Sequence, residues 1–229
     1  MKIGIELEAG FLADSISDVT DLCNEIKAEF KGDGSVSTYK NGVSPREIAT
    51  CPYEGEKSLP TIEKDFKQIY PFIGEINDSM GLHFHFSFEN IGDFQALYNK
   101  RFVSFFKKEL KEQFKDNPIL LKRLNNRYCR TSYDRKYFQT GSSSSKDRYK
   151  CINWCSFQRH GTVEFRIFNS PDNPKELMTY LVFTIITIKK FLKNYSFGLD
   201  FDLEEEKKGL CKEEIEIVED KKVIVIRGI

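Results

Sequence analysis

Three short stretches of the chain carry ionisable side chains at every second position: Glu6-Leu7-Glu8, His83-Phe84-His85 and Glu164-Phe165-Arg166. Successive residues of a β-strand point to opposite faces, so each stretch would gather its charged or imidazole groups on one side. Ile5 and Leu7 oppose Glu6 and Glu8. Leu82, Phe84, Phe86 and Phe88 oppose His83, His85 and Ser87, and Val163, Phe165 and Ile167 oppose Thr162, Glu164 and Arg166. A solvated sheet face is ordinarily rich in Thr, Ser, Lys and mixed charges. Carboxylates set side by side repel one another unless a cation lies between them. Carboxylates with imidazole suit a divalent metal, and a set dominated by oxygen favours magnesium or manganese. Taken singly, each pair has a plainer explanation: a polar strand face, histidines satisfied by hydroxyls, an exposed charge pair. All three together, each backed by a fully apolar face, point to a metal site.

Alternating strands and helices must position these groups. Lys2 to Leu7 reads as a strand. Ser17 to Phe30 reads as a helix, with Val19, Leu22, Cys23, Ile26 and Phe30 on one face. Lys31 to Ser35 is a turn cluster, Asn41-Gly42 is a hairpin signal, and Arg46 to Thr50 is a returning strand stopped by Pro52. A helix is expected from Ser58 to Ile73, a strand from Leu82 to Phe88, one long helix from Asp93 to Phe114, and another from Pro118 to Asn125. Strands follow near Tyr149 to Cys155 and Thr162 to Phe168, with Arg159-His160-Gly161 between them. Pro171 to Pro174 starts a helix reaching about Lys193, and Glu214 to Ile226 alternates like a hairpin. The expected division is a single catalytic domain over 1–195 and an acidic tail over 196–229.

Composition narrows the class. The chain has 229 residues, is 40% apolar and 31% charged, and balances 35 Lys plus Arg against 35 Asp plus Glu. That suits a globular domain with a sizeable core rather than a disordered or fibrous one. The longest apolar stretch, Leu181 to Ile188, is too short to cross a bilayer. The acidic start offers no apolar signal segment, and the six scattered cysteines contain no Cys-x-x-Cys pair. A cytoplasmic protein with free thiols is the expectation. Between Lys122 and Lys150, nine Lys or Arg stand against Asp134 and Asp147, a local charge of +7 that suggests an anionic ligand. The Gly141-Ser142-Ser143-Ser144-Ser145 run within it reads as a flexible flap.

These residues resemble the carboxylate–amine ligases of the glutamine synthetase and glutamate–cysteine ligase superfamily, and most closely their small amidoligase branch. The resemblance rests on Gly4-Ile5-Glu6-Leu7-Glu8, Asp33-Gly34-Ser35-Val36, Glu47-Ile48-Ala49-Thr50-Cys51-Pro52, Gly81 to Ser87, Tyr128-Cys129, Arg148-Tyr149 to Asn153, and Gly161 to Phe168. It implies an α+β fold like the glutamine synthetase and guanidino kinase catalytic domains. In that fold an antiparallel sheet has helices on one face and a concave face holding magnesium or manganese ions between ATP and an acid substrate. Glu8 and Glu47 would hold the metal nearer the acceptor. Glu6, His83 and Glu164 would hold the one bridging the ATP phosphates. Arg166 would bind a phosphate oxygen and His85 would lie beside the transferring phosphoryl group, with Arg148, Asn153 and Ser87 as further nucleotide contacts. The implied reaction converts a carboxylate to an acyl phosphate, which an amine attacks to give an amide. Larger members often offer two carboxylates near the second motif, where this chain shows one, Glu47, with Arg46 as a competitor beside it.

Two other readings fit parts of the sequence. His83, His85 and a Glu could hold zinc in a hydrolase. Alternatively Tyr128, Tyr133, Tyr137, Phe138 and Tyr149, interleaved with basic residues, could stack single-stranded nucleic acid, a reading that leaves the Glu and His strands unexplained.

Overall fold

The computed structural model describes residues 1–131, 148–196, 214–217 and 224–227. Its central strand is β1 (Lys2–Leu12), in which Ile3, Ile5, Leu7, Ala9 and Phe11 alternate inward and are at most 1% exposed. The strand runs past the expected end at Leu7 because Ala9 and Phe11 continue the alternation. Gly10 permits this: a Cβ there would stand 2.6 Å from Val43 Cγ1 and 2.9 Å from Thr38 Cγ2.

The expected helix from Ser17 to Phe30 divides into α1 (Ile16–Glu25) and β2 (Ala28–Gly32). Lys27 adopts φ 58°, a left-handed conformation that ends the helix. Phe30 thereby joins a strand, its ring 5.1 Å from that of Phe11. β3 spans Val43–Thr50 and α2 spans Leu59–Ile69. The latter gives way at Tyr70–Phe72 to a tighter turn, where Pro71 lacks the N–H an α-helix requires, so Ile73 starts β4 (Ile73–Glu75) instead of ending a helix. β5 covers Gly81–Ser87.

The expected helix from Asp93 to Phe114 is two helices, α3 (Ile91–Leu97) and α4 (Lys100–Gln113). Asn99 interrupts them because its side chain accepts a hydrogen bond from Phe102 N (2.9 Å) and caps the second helix. Asn90, rather than Asp93, caps the first, accepting from Gly92 N. α5 (Pro118–Arg123), capped by Asn117, follows. The strand expected over 149–155 is only the pair β6 (Ile152–Asn153), because the chain turns into the short helix α6 (Ser156–His160). Gly161, at φ 65°, ends that helix and feeds β7 (Val163–Asn169), after which α7 runs over Pro174–Ser196. A separate antiparallel pair, β8 (Glu214–Ile217) and β9 (Ile224–Arg227), matches the hairpin pattern of the tail. The Gly141–Ser145 run, with Arg135, Lys136 and Lys146, lies outside the described residues, as do Tyr133, Tyr137, Phe138 and Cys211.

The fold is α+β, built on an open antiparallel sheet in the order β2-β3-β1-β5-β7-β6, with β4 paired to the far end of β1. Its apolar face packs under helices. Phe165 of β7 lies 5.1 Å from Phe106 and 6.1 Å from Phe102 of α4, and Phe168 stacks on Tyr180 of α7 at 4.8 Å. Ring contacts of this kind add to the area they bury. Cys23, Cys51 and Cys129 are free thiols, and burial pushes Cys23 up to about 11. Among the described residues no helix is long and apolar enough to cross a membrane.

Candidate active site

Strand register assembles the opposite face of the sheet. Glu6 on β1 stands across from His83 on β5, Glu8 across from Glu47 on β3, and both His85 and Asn153 of β6 stand across from Glu164 on β7. Five strands thus bring Glu6, Glu8, Glu47, His83, His85, Asn153, Glu164 and Arg166 into one cleft of about 550 Å³, with Arg148 at its edge. Ser87 lies apart from them, one step along β5, where it lines a neighbouring recess.

His83 is the hub. Its Nδ1 lies 3.1 Å from Glu6 Oε2 and 3.7 Å from Glu164 Oε1, and its Nε2 lies 3.7 Å from Glu8 Oε1. On one side, Glu6, His85 and Glu164 offer donor atoms within 4.8 Å of one another; on the other, Glu8, Asp33 and Glu47 do the same. His85 Nδ1 contacts Thr162 Oγ1 at 3.2 Å, while its buried Nε2 lies 3.2 Å from Glu6 Oε1. Glu164 accepts from Asn153 Nδ2 (2.6 Å) and from Arg166 Nη1. Gly81 N donates to Glu8 Oε2 at 2.6 Å.

The β5–β7 pairing carries a bulge here. Leu82 pairs with Phe168 but Phe84 pairs with Phe165, so Arg166 and Ile167 share the place opposite His83. Bulges beside active sites re-aim side chains, and this one sits between the hub imidazole and the cleft guanidinium. Arg123 secures it, donating from Nε to Ile167 O and from Nη1 to Met80 O while itself buried. That use of Arg123, and the pairing of Lys122 with Asp78 at 2.9 Å, removes both from the free basic patch suggested by the charge count. Arg148, by contrast, remains exposed at the cleft, its guanidinium 5.2 Å from the Tyr149 ring centre.

Electrostatics follow from this crowding. Burial alone would raise the Glu6 carboxyl, but hydrogen bonds and charge from His83 and His85 outweigh it and hold the group far below the usual carboxylate range. Glu164 is also lowered, because Arg166 and the two imidazoles outweigh its burial. His85 is raised against its burial by Glu6 and Glu164. Glu47 is raised by burial and by the charge of Glu6, with Lys31 at 3.0 Å pulling the other way. Two groups depressed below 4.5 and one raised above it make an acid-sensitive fold, since the ionised forms of Glu6 and Glu164 stabilise the native state only above the unfolded value. That stability is lost as pH falls through and below about 4.5, while Glu47 contributes in the opposite sense. We therefore expect Glu6→Gln to flatten the fall in denaturation midpoint between about pH 6 and about pH 3 relative to wild type. A parallel fall in both proteins would remove Glu6 from this account.

Two residues stand differently from the sequence expectation. Arg46 does not compete for Glu47: it points to the other face, its guanidinium 5.6 Å from the Phe30 ring centre, and Lys31 is the cation that meets Glu47. The second carboxylate missing near Glu47 is supplied by Asp33, held in its turn by Ser35 N and Oγ at 2.8 and 2.7 Å. Asp33 is in the motif Asp33-Gly34-Ser35-Val36, but a turn has no period from which a facing direction can be read. With five carboxylates and two imidazoles in reach of one another, the donor set fits hard divalent cations.

Comparison with curated proteins gives no match. A family model described as "Putative amidoligase enzyme" matches residues 95–187, a stretch that includes Arg148, Asn153, Glu164 and Arg166 and begins after His85. The match supports an amidoligase family for this chain.

Proposed function

We propose that the chain is an ATP- and magnesium-dependent carboxylate–amine ligase that forms an amide through an acyl phosphate. The observation that carries this reading is the convergence of two oxygen-rich donor groups, Glu6/His85/Glu164 and Glu8/Asp33/Glu47, on the shared hub His83 with Arg166 alongside. A carboxylate is a poor acylating agent at neutral pH, so its oxygen must first become a leaving group. Phosphoryl transfer is catalysed mainly by positioning and by neutralising charge on phosphate oxygens. Magnesium or manganese held by these carboxylates would supply that neutralisation. Arg166, anchored by Glu164, and Arg148 at the cleft edge offer guanidinium forks to phosphate oxygens. Asn153 fixes the Glu164 carboxylate by its amide, and Thr162 fixes the His85 ring, so both reach the cleft in one orientation. The acidic face would then be the concave nucleotide face of a glutamine synthetase-like sheet. The preponderance of oxygen over imidazole favours this over a zinc hydrolase, whose catalytic sites lean on histidine.

The test is a screen of amino acids and short peptides, as acid and as amine, for ADP production with Mg²⁺. ADP should form only when both substrates are present, and ¹⁸O in the acid carboxylate should appear in the released phosphate. Amide hydrolysis without ATP, or ADP release indifferent to the amine, would overturn the proposal.

A further inference from the structure

The acidic cleft does not end at Glu6 and His85. Beyond them the same sheet face continues into a second recess of about 430 Å³, whose floor and walls include Lys2, Gly4, Ala49, Thr50, Ser87 and Thr162. The two hollows share Glu6, His85 and His160, which form a saddle between them. Strand geometry explains the change in character: Gly4 and Glu6 are neighbours on one face of β1, as are His85 and Ser87 on β5, so two residues along each strand the side chains turn from ionisable to small. Gly4 has no side chain to fill the floor, and a Cβ there would stand 3.3 Å from His85 Cβ. His160, the third histidine of the chain, is exposed at the end of α6 with its ring 6.5 Å from that of His85.

We infer that this recess is the binding site of the second substrate, a small primary amine whose nitrogen lies at the Glu6–His85 saddle and whose remaining atoms occupy the Thr50–Ser87–Thr162 hollow. The inference rests on the ligase reading for the fate of the amine, but the binding site itself does not require it. A carboxylate at one rim attracts an ammonium group, hydroxyl and glycine walls accommodate a short uncharged body, and Lys2, which also lines the recess, is paired with Glu54 at 2.9 Å. Glu6 accounts for the orientation: it belongs to both hollows, so an amine held against it lies next to whatever the acidic cleft activates. In the coupling step the nitrogen lone pair forms the C–N bond as the acyl C–O bond breaks and phosphate leaves with the electron pair. Of the three protons on an incoming ammonium, one stays on the amide, one leaves with phosphate as HPO₄²⁻ and one passes to solvent.

The chain's three histidines make the test direct. With ring-labelled histidine in the full chain, titration with methylamine should shift the His85 and His160 signals saturably. Ser87→Leu and Ala49→Leu each add bulk to the hollow and should weaken that binding about tenfold or more. Two variants on different strands guard against one of them failing to fold, which a thermal melt reports. In the ligase assay Ala49→Leu should raise KM for the amine and leave KM for ATP unchanged. If the wild type makes no ADP with any amine, the ligase reading falls and the methylamine titration still decides the recess. If His85 and His160 do not respond to millimolar methylamine, or respond equally in both filled variants, the recess is not an amine site, whatever the chain does with ATP.

Discussion

Glu164→Gln is expected to lower ADP production by about 10²–10³-fold while the protein remains folded, because the substitution keeps the shape of the side chain and removes only its charge. Glu164 is buried on β7 and answers to four partners: Asn153, Arg166, His83 and, by charge, His85. A neutral amide cannot anchor Arg166 as a carboxylate does, nor contribute to a divalent cation site. Breaking a buried ion pair ordinarily costs about 3–5 kcal/mol, because a charge is left without a counterpart. Here Glu8 and Glu6 also bear on Arg166, so the loss of stability should fall below that range. The measurement is ADP release beside a thermal melt, with Glu63→Gln, a half-buried partner of Lys67 on α2 remote from the cleft, as the control expected to change neither. Undiminished turnover in Glu164→Gln would remove the cleft from the chemistry, however well the family match stands.

Much of this site is legible in the sequence because it is built on strands. Period-two alternation is a geometric rule, and it places Glu6 with Glu8, His83 with His85, and Glu164 with Arg166 on one face of their own strands before any register is known. Alternation cannot tell which strand pairs with which, so it does not show that His83 rather than His85 sits at the centre of both carboxylate groups. That follows from the pairing Glu6↔His83 and from the bulge opposite His83, neither of which leaves a period in the sequence. Asp33 is illegible for a related reason: its direction is set by an Asp33–Ser35 turn. The misread helices have local causes. Lys27 and Asn99 each interrupt a continuous apolar pattern through a single backbone conformation or cap, and the hydrophobic residues on both sides remain in phase with a helix that is not there.

Gly81→Ala should lower both stability and turnover. The position does not need a glycine conformation, so an alanine would meet no backbone strain, and the effect must come from space. A Cβ at Gly81 would stand 2.9 Å from His83 Nε2, 3.1 Å from Arg123 Nη2 and 3.2 Å from Glu8 Oε2. These are the hub of the cleft, the clamp on the β5–β7 bulge and a carboxylate that the Gly81 amide itself holds at 2.6 Å. All three are side-chain ends, so the fold can yield, and overpacking of this kind typically costs about 1–3 kcal/mol. The catalytic penalty should be the larger one, about 10²-fold, because displacing aligned groups by about 1 Å suffices for a loss of that size. Affinity for Mn²⁺, followed by its electron paramagnetic resonance signal, should fall alongside turnover, since Glu8 and His83 move together. Gly34→Ala provides the contrast: no atom lies within 4 Å of the added carbon, and both turnover and Mn²⁺ affinity should stay at the wild-type level. A Gly81→Ala protein that melts a few degrees lower yet retains full turnover and Mn²⁺ affinity would mean that Glu8 and His83 support the sheet and take no part in the reaction.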